Sequence, residues 1–162
     1  MKKKVIFWII SAMVLIAING LILQKERLLK NGKLMLLPLA PVDPRSLMQG
    51  DYMILRYQIA GQVNSSSLKN EGNLVVRLDK DSVAHWVKLE DGTDLAEDEQ
   101  LLFYRNRNGI RLGAESFFFQ EGQADLYEKA KYGELRVQDT GKSILIGLRD
   151  KDFNPLGKRL GD

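Results

Sequence analysis

No cysteine occurs among the 162 residues, which removes thiolate metal sites, cysteine nucleophiles and the lipidated N-terminal cysteine of a lipoprotein together. Compartment stays open, because a chain without cysteine suits a reducing or an oxidising environment equally. Histidine is nearly as scarce. His85 stands alone beside Trp86 on an expected strand, where a zinc site would need three further ligands, all carboxylates. It reads as a surface or half-packed residue. Glycine-rich phosphate loops, a Gly-x-Ser-x-Gly elbow and internal repeats are all missing. The acidic run of Asp94, Glu97, Asp98 and Glu99 lacks the alternating ligands around a turn glycine that calcium loops use, and reads as a solvated loop. No metal and no cofactor is expected.

Acidic residues are also absent before Glu26, and this decides how the net charge of +3 is read. The chain carries 24 Lys plus Arg against 21 Asp plus Glu; setting aside Lys2, Lys3 and Lys4 leaves 21 against 21. A neutral body has no net field to collect phosphates, so no nucleic-acid partner is expected. Arg105, Arg107 and Arg111 form a local basic cluster, but their spacing with interspersed asparagines reads as a solvated face.

What the chain does contain begins with an uncharged segment of 19 residues, VIFWIISAMVLIAINGLIL, at positions 5–23. At the helical rise this spans roughly 28 Å, close to a hydrocarbon core. A cleaved secretory signal would have a shorter apolar core and small residues at its exit, whereas Ala17, Ile18 and Asn19 put asparagine where a small residue belongs. A retained anchor that contacts the lipid bilayer through residues 5–23 is the expectation. Lys25, Arg27, Lys30 and Lys33 nearly balance the basic start, so the positive-inside rule is almost silent. A basic tip of four residues is easily kept in the cytoplasm, and long following domains cross largely regardless of charge. Residues 1–33 are therefore read as cytoplasmic tip, anchor and juxtamembrane helix, and residues 34–162 as one body outside the inner membrane.

Asn31 and Gly32 supply the break after the helix, and residues 34–39 form an apolar run of strand length. Over residues 52–59 the alternation sends Tyr52, Ile54, Arg56 and Gln58 to one face and Met53, Leu55, Tyr57 and Ile59 to the other, as in a half-buried strand. The polar tract from Gly61 to Gly72 reads as a loop. Hairpins are expected from residues 73–78 with 82–89 around Asp79, Lys80 and Asp81, and from residues 101–104 with 109–112. A further hairpin pairs residues 135–138 with 143–148 around Gly141. Residues 116–119 form an aromatic strand with Phe117 and Phe119 on the core side. The apolar stripe of Ala124, Leu126, Tyr127 and Ala130 predicts a helix over 123–131, which would also cover Phe118. The fold class is mainly β: a transmembrane helix, then an antiparallel β-rich domain with one short helix.

The runs PVDPRSLMQGDYMILRY, FFFQEGQADLYEKA and ELRVQDTGKSILIGL resemble the bacterial GDYXXLXY family, whose motif is present as Gly50, Asp51, Tyr52, Leu55 and Tyr57. Gln120, Glu121 and Gly122 stand where the family often has Pro-Glu-Gly. The resemblance implies a small membrane-anchored protein, often encoded with or fused to multi-pass membrane proteins. It implies no reaction.

Two readings of the motif stand side by side. Structurally, Gly50 permits a turn, Asp51 accepts backbone amides, and Tyr52 and Tyr57 pack their rings while their hydroxyls find polar partners. Functionally, Asp43, Arg45, Asp51 and Tyr57 would line a recognition groove, and the resemblance adds Glu121 and Gly122 to the candidate recognition residues. The expected function is a non-enzymatic accessory module working with a multi-pass membrane protein, with Asn19 and Gly20 as helix-packing contacts. The alternative is a signal-peptidase-like serine hydrolase using Ser46. Against it stand the short spacing from Ser46 to Gly50 and the lack of a lysine in a clearly apolar run to act as base.

Overall fold

The computed structural model describes residues 2–40, 48–49, 52–64 and 68–160. Helix α1 (Lys2–Asn31) leaves its large apolar side chains from Val5 to Leu23 uncovered by the body. Its segment Lys4–Asn31 is long and apolar enough to cross a membrane. Only the last turns meet the body, where Leu28 is 3% exposed. Gly32 ends the helix, donating its amide to the Leu28 carbonyl at 2.9 Å. A Cβ at Gly32 would lie 3.0 Å from the Arg136 Cβ, so the chain can leave the helix this close to the body only as glycine.

The expected apolar run becomes β1 (Lys33–Pro38), in which Met35, Leu36 and Leu37 are all buried. It pairs antiparallel with β9 (Tyr132–Val137), which pairs with β10 (Ser143–Arg149), followed by β11 (Pro155–Leu156). A second four-stranded sheet has the order β5 (Ala84–Leu89), β4 (Glu71–Leu78), β6 (Glu99–Asn106), β7 (Ile110–Arg111). A three-stranded sheet joins β2 (Met48–Gln49), β3 (Tyr52–Ile54) and β8 (Ser116–Phe118). All pairings within the sheets are antiparallel. One core draws on all three, with Met35, Met53, Leu74, Leu102 and Leu135 packed in a single cluster. The fold is mainly β, and the three expected hairpins form.

Several local expectations are corrected. The strand over 52–59 stops at Ile54, and residues 58–62 wind into a one-turn helix, α2 (Gln58–Gln62), begun by the Ala60 amide donating to the Tyr57 carbonyl. The alternation of burial nevertheless continues through Leu55, Tyr57 and Ile59. The polar tract is shorter than expected, because α2 takes its start and β4 its end; Ser65, Ser66 and Ser67 lie outside the described residues. The helix over 123–131 shrinks to α3 (Ala124–Tyr127). Its continuation is diverted because the Lys131 amide donates to the Arg149 carbonyl and the Lys131 carbonyl accepts from Leu39, drawing the chain into β9. Phe118 is not covered. It is 74% exposed, while α3 packs on the opposite face through Tyr127, whose ring lies 5.0 Å from Phe117 and 5.1 Å from Phe119.

Candidate functional site

Asp43, Arg45, Ser46, Gly50 and Asp51 lie outside the described residues, so the motif is read from Tyr52, Leu55 and Tyr57. All three build one neighbouring structure. Tyr52 pairs with Phe118 across β3 and β8, their rings 5.7 Å apart. The Leu55 amide donates to the Glu115 carbonyl at 2.9 Å, and the buried Tyr57 hydroxyl donates to the Ala114 carbonyl at 2.7 Å. Burial pushes the Tyr57 phenol well above its ordinary pKa, and the Glu115 carboxylate adds to the shift. The phenol is therefore a fixed neutral donor. Gly133 makes room for its ring: a Cβ there would meet Tyr57 Cε1 at 3.0 Å. Glu115 in turn accepts the amides of Leu112 and Gly113. The motif tyrosine and leucine thus pin the loop over residues 112–115. Glu121 and Gly122 are exposed in the turn before α3, with no hydrogen bond or ion pair to these motif residues among the described residues.

That loop forms one wall of a cavity of about 450 Å³ beside the end of α1. Lys25, Arg105, Arg107, Arg111 and Lys142 line it, with Glu115 as the one carboxylate. Glu115 is already committed to backbone amides, and none of the five cations forms an ion pair among the described residues. Arg105 stacks its guanidinium over Phe103 at 5.7 Å from the ring centroid. Directly across the ladder, Arg105 faces Arg111. On its other side Arg105 faces Glu71 of β4, so an opposite charge offsets the like-charge pair across the sheet. The three arginines are solvent-exposed, as their spacing suggested, but Lys25 and Lys142 join them from 80 and 31 positions away from Arg105 and Arg111 respectively. No local pattern could have announced that.

The remaining singled-out residues do structural work. His85 Nε2 lies 3.0 Å from Asp79 Oδ2, while Asp79 Oδ1 accepts the amides of Asp81 and Val83 and shapes the β4–β5 turn. Slight burial would raise the Asp79 carboxyl, but the His85 contact and the two amides outweigh it and hold it below the ordinary value. In the acidic loop, Asp98 and Glu99 pair with Arg77 at 3.1 and 3.3 Å. Sequence reading passed over Glu134, which is 1% exposed. Arg149 grips it with two bonds of 2.8 and 2.9 Å, and Arg159 Nε lies 3.3 Å from it as an ion pair. A buried carboxylate between two arginines is a structural clasp rather than a free acid. In α1, Asn19 donates its side-chain amide to the Leu15 carbonyl at 2.8 Å, whereas Gly20 leaves open space on the helix surface.

Comparison with curated proteins and with solved structures gives no match. The family profile described as GDYXXLXY protein matches residues 14–148, a span that takes in part of α1, the motif tyrosines and the loop they hold. On that match, which covers most of its length, the chain belongs to the GDYXXLXY family.

Proposed function

We propose that this protein is a non-enzymatic interaction module, anchored by α1 in a bacterial inner membrane with its body on the outer side, and that it works with a multi-pass membrane protein. The observation that carries the reading is the exposed Phe118 on the motif sheet, its ring against the half-buried Tyr52: Phe118 opens on a depression that also contains Lys25, two residues beyond the apolar span. An aromatic side chain left bare beside a membrane exit is suited to contact a neighbour embedded in the same bilayer. Gly20 supports it from within the span, because small residues let another helix approach closely. The short basic start, Lys2 to Lys4, supports the orientation.

The test is a photo-crosslinking amino acid placed at position 118, and separately at position 20, in the full chain in native membranes. One multi-pass membrane protein should be captured from both positions and should co-purify with the unmodified chain. A chain that purifies alone and gives no adduct from either position overturns the reading. Labelling by a serine-reactive probe that disappears in Ser46→Ala would replace it with hydrolase chemistry.

A further inference from the structure

We infer that the basic cavity beside α1 binds the phosphate of an anionic phospholipid headgroup. The inference rests on the anchored reading above, because depth is part of its argument. The apolar run ends at Leu23, and Gln24, Lys25 and Leu28 line the cavity. Leu28 stands five residues past that end, which is about 7.5 Å along the helix and matches the thickness of the headgroup layer on one side of a bilayer. The cavity therefore opens where phosphates lie.

Its chemistry fits them. Arginine presents a planar fork to phosphate oxygens, and lysine adds a point charge. Three arginines and two lysines without ion-pair partners among the described residues surround the space, opposed by one carboxylate whose oxygen is already held by two amides. At about 450 Å³ the cavity falls within the range of about 300 to 1,000 Å³ that small-molecule sites occupy. The lipid source is favoured over a free anion by a second depression that shares Gln24 and Gln138 with the cavity, has Arg27 at its polar end and runs back along α1 past Leu23 to Gly20. It gives an acyl chain a path from the cavity into the hydrocarbon. The family motif acquires a role here: Leu55 and Tyr57 hold the wall loop against which Arg111 is set.

The test uses the intact chain in detergent, titrated with short-chain phosphatidylglycerol or phosphatidylcholine and read by native mass spectrometry. Phosphatidylglycerol should bind at least about tenfold more tightly, and each cation removed should weaken it about fivefold at low salt, so that Arg105→Gln with Arg111→Gln loses about 25-fold. Lys80→Gln, outside the cavity lining, should leave binding unchanged. The double variant removes two opposed like charges but also the Arg105 contact with Phe103, so its unfolding is measured alongside; if it unfolds earlier than the wild type, the exposed pair Arg107→Gln with Lys142→Gln carries the same test. Equal binding of the two lipids, or full binding by a folded double variant, overturns the inference. Inorganic phosphate that displaces the lipid at millimolar concentration, with the same dependence on Arg105 and Arg111, reassigns the cavity to a free anion and overturns the lipid source. Carbonate-resistant flotation of the full chain scores the anchor separately. A chain that washes off removes the anchored reading itself, whereas one that stays but shows no headgroup preference removes only this inference.

Discussion

Tyr57→Phe isolates the link between the family motif and the loop it holds. The substitution keeps the ring, which is 4% exposed, and deletes one hydroxyl that donates to the Ala114 carbonyl at 2.7 Å. A buried acceptor left without its donor costs about 1 to 3 kcal/mol, and because Ala114 is only half-buried, water recovers part of that. We expect a loss of about 1 to 2 kcal/mol, which for a chain of this size lowers the midpoint by about 2 to 8 °C. Thermal unfolding of the full chain in detergent, followed by tryptophan fluorescence with Trp86 of β5 as the body's reporter, measures it. Tyr104→Phe is the matched comparison, because that hydroxyl has no hydrogen-bond partner among the described residues, and its shift should be small. Alkaline pH supplies a second signature. A phenol whose pKa is raised by folding contributes stability that is fully present below about pH 10, its ordinary value, and is lost as pH climbs beyond it. Tyr57→Phe should therefore lose less between neutral and strongly alkaline pH than the wild type. A Tyr57→Phe midpoint shift no larger than that of Tyr104→Phe would refute the claim that the motif tyrosine secures the 112–115 loop.

Removing one side of the buried clasp should cost far more. Arg149→Met leaves Glu134 with Arg159 alone, and breaking a buried pair this way is expected to destabilise by about 3 to 5 kcal/mol, visible as a large drop in urea midpoint. At the β4–β5 turn the sign is set by a depressed carboxyl. Asp79 contributes stability that is present above about pH 4 and is lost as pH falls towards its lowered folded value. The gap in unfolding temperature between wild type and Asp79→Asn should thus narrow below about pH 4, and a gap that stays constant down to strong acid would contradict the assignment.

Much of the architecture was legible because it is written in short-range patterns. The long apolar helix follows from the apolar run, the helix stop from Asn31 and Gly32, and the three hairpins from apolar strands flanking turn-forming residues. Burial parity across residues 52–59 was readable even where the strand was not, since Leu55, Tyr57 and Ile59 point inward whether the backbone is extended or turned. The errors share a cause. The length of β3 depends on how far β8 extends beside it, the length of α3 on the Arg149 and Leu39 partners that divert Lys131, and the exposure of Phe118 on which side of its sheet α3 settles.

By itself, the sequence determined that an apolar helix precedes a charge-balanced, antiparallel β-rich body, because hydrophobic period and turn chemistry act over neighbouring residues. Only tertiary structure decided that the motif serves the 112–115 loop and that Lys25, Lys142 and three arginines share one cavity beside the end of α1. Charge convergence depends on distances in space between groups far apart along the chain, and no local period encodes it.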